Sequence, residues 1–161
     1  THLEIDSMFF WDFSHFLTEC TNLTNLKILK RDRQSTLTRK LESVKSLTIE
    51  GIVDKFYLAN FPNLKFLNVS KLKVTRNVFD ERIECDKIEE LVIDKSWLGG
   101  FFKFPALKKI HFKDIRVLSP EIFQVNCQLE EIIFENCMGL SSNVIQKIDE
   151  NCENLKVFVV K

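Results

Sequence analysis

One apolar signature recurs along the whole chain: an apolar residue, a second three positions later, and a third two positions after that. It reads Leu23-x-x-Leu26-x-Ile28, Val44-x-x-Leu47-x-Ile49, Leu64-x-x-Leu67-x-Val69, Ile88-x-x-Leu91-x-Ile93, Leu107-x-x-Ile110-x-Phe112, Leu129-x-x-Ile132-x-Phe134 and Leu155-x-x-Phe158-x-Val160. Leu3-x-Ile5 looks like the tail of one more. The central residues stand at 3, 26, 47, 67, 91, 110, 132 and 158, so successive units lie 19 to 26 residues apart. The last two apolar positions of each unit bracket one other residue, the mark of a short strand with one buried face. The rest of each unit has room for a turn, a helix or helical turn, and a return. A unit of this size cannot bury its apolar face alone, whereas units stacked in order bury it continuously.

The material for such a stacked core is present. Apolar residues make up 45% of the 161, and 15 are Phe against one Tyr; a ring without a hydroxyl is packing material. Four Gly and three Pro leave little for low-complexity linkers, and the length is that of about one domain. The longest apolar cluster, Met8-Phe9-Phe10-Trp11, is soon interrupted by Asp12 and His15, far short of the roughly 18 apolar residues of a membrane-crossing helix. Twenty-three basic residues balance twenty-three acidic ones, so net charge supplies no pull towards nucleic acid or an anionic membrane.

On these units the sequence resembles the leucine-rich repeat family, whose pattern is L-x-x-L-x-L. The resemblance implies an α/β fold: a right-handed solenoid, or horseshoe, with a parallel sheet on its concave side and irregular helices on its convex side. Residues 1–161 then form a single domain of about seven to eight irregular repeats. The abrupt start at Leu3-x-Ile5 and the end at Lys161, directly after a strand, lead to the expectation of a fragment of a longer parent. The last repeat, with Cys137 and Cys152, resembles the cysteine-containing repeats of F-box proteins. Where Cys137 sits, earlier units place Arg31, Ile52, Leu72, Ser96 and Ile115, so the Asn/Cys ladder of those repeats is expected to be absent. The F-box resemblance implies a substrate-recognition region of a ubiquitin ligase. A cullin-ligase adaptor would then dock through an upstream segment, and the module itself would do no chemistry.

Between the strands, several local signals point to helices and turns. Ser7 can cap a helix with Phe9, Phe13, Phe16 and Leu17 on one face. Ser119-Pro120-Glu121 reads as a cap, a first-position proline and an acidic first turn. Ser141 or Ser142 can cap a helix reaching Asn151-Cys152, with Val144, Ile145 and Ile148 at helical spacing. Segment 29–43, with Lys30, Arg31, Arg33, Arg39 and Lys40, reads as an exposed connection. Residues 97–102 read as a tight turn whose aromatics cover the core.

Cysteine usage follows the repeats. Cys20, Cys85 and Cys152 each precede the first strand residue of a unit by three positions, a place taken elsewhere by Phe61 and Phe104, and Cys127 lies two before. A place shared by Cys and Phe is a buried apolar one. No C-x-x-C pair suggests zinc, and five free thiols favour a reducing compartment, cytoplasmic or nuclear. The sequons at Asn22 and Asn68 are about as many as accident provides. His2, His15 and His111 fall in separate repeats. The chain has no G-x-S-x-G, no phosphate-cradling glycine loop and no H-E-x-x-H. The expectation is a protein without catalytic residues, metal or cofactor.

Function is then read from the residues between the apolar strand positions, which line the concave face. After the first apolar residue of successive units come Thr24, Lys45, Lys65, Glu89, Lys108, Glu130 and Lys156, and next Asn25, Ser46, Phe66, Glu90, Lys109, Glu131 and Val157. From the fourth unit the sign alternates. Parallel neighbours about 4.8 Å apart would set Glu89 and Glu130 beside Lys108, and Lys156 beside Glu130. The third column, Lys27, Thr48, Asn68, Val92, His111, Ile133 and Val159, turns apolar where a solvated face should be polar. The expected partner surface has Phe66, Val92, Ile133 and Val157 as apolar anchor, Lys65, Glu90, Lys109, His111 and Glu131 setting specificity, and Asn68 among its contact residues. This makes the chain a protein-protein interaction module on its concave face, binding neither nucleic acid nor membrane. Other readings compete: a self-neutralising charge ladder, coverage of the apolar column by another part of the parent protein, a scaffold within a larger intracellular assembly that uses its convex side, and an extracellular receptor fragment with disulfides and glycans.

Overall fold

The computed structural model describes residues 1–6, 17, 19–30, 40–51, 58–71, 86–96, 103–126 and 128–161. Eight strands account for the recurring signature: β1 (His2–Asp6), β2 (Asn25–Lys30), β3 (Ser46–Gly51), β4 (Phe66–Ser70), β5 (Glu90–Asp94), β6 (Lys109–Lys113), β7 (Glu131–Glu135) and β8 (Val157–Val160). Between them, among the described residues, lie a 3-10 turn at Leu58–Asn60 and two helices, α1 (Ile122–Val125) and α2 (Ser142–Asn151). All strands are parallel and belong to one sheet, ordered β1 to β8 as in the chain. The expected α/β class is present, and one parallel sheet in chain order is compatible with a solenoid-like arrangement.

Register follows the signature without a slip. Leu3, Leu26, Leu47, Leu67, Leu91, Ile110, Ile132 and Phe158 form one row across the sheet. Ile5, Ile28, Ile49, Val69, Ile93, Phe112, Phe134 and Val160 form a second. From β2 to β7 both rows are buried, and the first apolar residue of each of those units is buried with them. Each such side chain is worth about 1.5–3 kcal/mol when fully buried. Phe112 and Phe134 stack in neighbouring strands with ring centroids 5.2 Å apart, and Phe123 of α1 meets Phe112 edge-on at 6.2 Å. Among the described residues, Phe112, Phe134 and Phe158 stand in the two rows, Phe123 on the helix beside them, and Phe61 and Phe104 in the turns that lead into strands.

Three backbone devices repeat along the stack. A turn precedes the strands, closed by hydrogen bonds such as Leu23 N to Cys20 O, Leu64 N to Phe61 O, Leu107 N to Phe104 O and Leu155 N to Cys152 O. This places the Cys/Phe position inside: Phe61, Phe104 and Cys152 are buried and Cys20 is half-buried. Cys85 and Cys127 lie outside the described residues. At each strand entrance one carbonyl accepts two amides from the next unit, as Lys65 O does from Glu89 and Glu90 and Lys108 O from Glu130 and Glu131. At the exits of β4 to β7, Lys71, Lys95, Asp114 and Asn136 take positive φ, and each donates its amide to the carbonyl ending the next unit's strand or, for Asn136, to Lys161 O. None of these four is glycine, so the conformation is held by that ladder bond against the left-handed strain of an L residue.

At the place of Cys137, where the Asn/Cys ladder of the cysteine-containing repeats is expected to be absent, two described units nevertheless bond through a side chain. The single S–H of Cys137 is shared between Phe112 O and Glu135 O, each 3.4 Å from Sγ. Ser96 Oγ occupies the equivalent place, its single O–H shared between Val69 O at 3.3 Å and Asp94 O at 2.7 Å. A serine thus meets the same two carbonyl positions as the cysteine, while the intervening Ile115 is simply buried.

Other local expectations differ in detail. Ser141 caps α2, its side chain accepting from Val144 N at 3.3 Å. Ser119 does not cap α1; its hydroxyl bonds the Glu121 carboxylate, and a turn closed on backbone carbonyls leads into the helix. Leu29 and Lys30 belong to β2, and Leu41 is buried, so the exposed connection expected over 29–43 is shorter at both ends. Its middle, the helix expected from Ser7 except for the buried Leu17, and the turn at 97–102 lie outside the described residues.

Candidate functional site

Alternation inside each strand sends positions two and four into the core and positions one, three and five to the opposite face. That outward face is a grid of three rows. Over β4 to β8 the first row is Phe66, Glu90, Lys109, Glu131 and Val157, and the second is Asn68, Val92, His111, Ile133 and Val159. The third is Ser70, Asp94, Lys113 and Glu135, continued by Lys161 after the end of β8. All ten residues expected at the partner surface stand on this face or at its entrance, where Lys65 lies.

The first row and its entrance are tied by ion pairs. Lys109 Nζ lies 3.6 Å from both Glu90 and Glu131. At the strand entrances Lys65 pairs with Glu89 at 2.9 Å and Lys156 with Glu130 at 2.7 Å. Both of those glutamates have their pKa lowered, chiefly by the lysine hydrogen bond. The expected pairing of Lys156 with Glu130 is present. Lys108 acts on Glu89 and Glu130 only as a more distant positive charge, because their carboxylates turn to Lys65 and Lys156 instead.

The second row is different in kind. Val92, Ile133 and Val159 are half-buried by their neighbours and otherwise open, Phe66 beside them likewise, and Val157 is exposed. His111 stands between Val92 and Ile133, its Nε2 3.0 Å from the Glu135 carboxylate. Burial and the positive charge of Lys113 lower its pKa despite Glu135, and this lowering favours the neutral ring. At the head of the row, Asn68 carries a buried side-chain oxygen without a hydrogen-bond partner among the described residues.

The third row was missed by reading only the residues between apolar positions. Asp94 accepts from Ser70 Oγ at 2.8 Å, and Lys113 lies 3.6 Å from Glu135. Further back, Lys71 reaches Glu50 at 2.5 Å, and that bond chiefly lowers the Glu50 pKa. The signal was available: Asp94, Lys113, Glu135 and Lys161 each follow the last apolar residue of a unit directly.

Taken by strand rather than by row, the face is banded. Glu89, Glu90 and Asp94 make β5 and its entrance acidic, and Lys108, Lys109 and Lys113 make β6 basic. Glu130, Glu131 and Glu135 make β7 acidic, and Lys156 and Lys161 flank β8 with positive charge. Among the described residues no three His, Cys, Asp or Glu side chains cluster as metal ligands, and no helix is long and apolar enough to cross a membrane. Comparison with protein-family models, curated proteins and solved structures gives no match.

Proposed function

We propose that this chain is a non-catalytic protein-binding module of the leucine-rich repeat type, whose outward sheet face is the concave surface that holds a protein partner. One observation carries the reading: the half-open apolar row Val92, Ile133 and Val159, bordered by Phe66 and Val157, on a face that solvent alone would favour as polar. The ion-paired rows on either side would form its polar rim, with Lys65, Glu90, Lys109 and Glu131 discriminating among partners and His111 and Asn68 offering polar contacts within the row. The likeness of the last repeat to those of F-box proteins supports the narrower proposal of substrate recognition in an intracellular ubiquitin ligase, with no cofactor and no reaction of the module's own.

The test is affinity capture from a reducing cell lysate, read by quantitative mass spectrometry, with wild type beside Phe66→Asp/Ile133→Asp after circular dichroism has shown the variant folded. Loss of the same proteins from the variant alone is the expected result. Identical capture by both would overturn the assignment of this face. A scaffold reading draws on a separate feature: Val117 and Met138 are 69% and 82% exposed in the loops after β6 and β7, beside a hollow of about 770 Å³. Hydrogen-exchange protection confined to those loops in an assembled complex would favour it.

A further inference from the structure

Resting on the reading above, we infer that the partner element is an amphipathic α-helix laid across β5 to β8, with charges that alternate in sign from one helical turn to the next. The apolar row is one side chain wide and runs perpendicular to the strands, through Val92, His111, Ile133 and Val159. Its two borders agree in sign at three successive levels. At β5 they are Glu90 and Asp94, at β6 Lys109 and Lys113, and at β7 Glu131 and Glu135. At β8 one border is Val157 and the other the positive Lys161, with Lys156 at the entrance. A complementary element therefore carries one apolar side chain per level, flanked by cations opposite β5 and β7 and by anions opposite β6 and β8.

The spacing selects a helix. Strands are about 4.8 Å apart, so the charge sign changes every ~4.8 Å along the row. A helix returns to the same face every ~5.4 Å, so four turns laid along the row fall only about 2 Å out of step with four strands. An extended chain shows side chains on one face every ~6.8 Å, and so slips by about 2 Å at each successive side chain, nearly one whole band after two of them. The bordering lysines and glutamates are ion-paired within the sheet yet remain partly exposed, with about half of the Lys109 and Glu90 side chains open. Each can accept a further opposite charge without breaking its existing pair.

The probe is a synthetic peptide of four helical turns with a leucine seam. Each leucine is flanked by two lysines in the first and third turns and by two glutamates in the second and fourth. Its control is an isomer of the same composition with both lysine turns first and both glutamate turns last. Reversing the peptide cannot rescue that control, because in either direction half of its turns meet like charge. Fluorescence anisotropy is expected to show the alternating peptide binding about tenfold or more tightly than the block isomer, as several matched exposed pairs allow. Ile133→Asp should abolish its binding, and a proline in the peptide's first turn-to-turn junction, which breaks the helix, should do the same.

Equal affinity of the two isomers, absence of binding by both, or undiminished binding of the proline variant would each overturn the inference. Its failure is distinct from failure of the broader reading. If lysate capture still depends on Phe66 and Ile133 while neither peptide binds, the helix falls and the interaction face stands.

Discussion

Gly139 is held where two loops cross. A Cβ there would lie 3.0 Å from Arg116 O and from Leu118 N, and 3.2 Å from Val117 Cα. All three are backbone atoms that cannot swing aside, and Met138 N donates to Ile115 O at 2.9 Å beside them. Gly139→Ala should therefore force the loop after β7 away from the loop after β6, at a cost of about 1–3 kcal/mol as in other overpacked sites. Urea denaturation checks this, and an unchanged midpoint would mean the loops part freely.

His111 gives a second prediction at the same scale. Its folded-state pKa is lowered from the ordinary 6.5, first by burial and then by Lys113, with Lys161 adding to the effect and the facing Glu135 opposing it. Below 6.5 the unfolded chain binds a proton that the folded chain resists, so stability falls as pH drops through that value towards the lowered one. Glu89 and Glu130 contribute in a separate, lower window, because their depressed pKa values keep them ionised until below the ordinary 4.5. Thermal melts of wild type and His111→Gln between pH 7.5 and the glutamate window (pH steps of about half a unit suffice) should diverge, with the variant the flatter. Parallel curves would show that His111 titrates alike in both states.

At the scale of the element, one residue of register decides between core and surface. Ile132 and Ile133 are adjacent in β7, yet Ile132 is fully buried while Ile133 faces outward and half-open. Ile132→Ala should cost about 2–5 kcal/mol by leaving a cavity between Ile110 and Phe158. Ile133→Ala should cost no more than about 1 kcal/mol, the span of strand preference on an open face. Equal losses in urea titrations would place Ile133 in the core and remove the apolar row as a contact surface.

The same alternation explains what was legible beforehand. Apolar spacing reveals strands, their order and their register, because burial repeats every second residue and every unit. It reveals the first two outward rows, which lie between apolar positions, whereas the third row, one residue past the last apolar position, is found only by carrying the alternation one step further. It also cannot show that Ser96 stands in for Cys137. That equivalence comes from a shared hydrogen-bond geometry to two carbonyls, which hydropathy does not encode. The partner itself stays unread for a related reason: complementarity to another molecule imposes no period on this chain.

For the whole molecule, stability in a stacked array is nearly a sum of unit and nearest-neighbour terms, so the two edges need not open together. In β8 the core-facing Phe158 and Val160 remain 43% and 59% exposed, although Phe158 packs edge-on against Phe134. In β1 the corresponding Ile5 is only 5% exposed. With less apolar area covered, β8 should separate from β7 at lower free energy than β1 from β2, and both edges at lower free energy than β4 to β6. Native-state amide exchange tests this directly. Protection is expected to rise from β8 through β7 to β6, with β1 intermediate, and uniform protection across all eight strands would mean that the sheet opens only as one unit. The test also bears on the banded face. If β8 opens readily in the free protein, a helix spanning β5 to β8 must close it on docking, and the largest gain in protection should then appear at Val157–Val160.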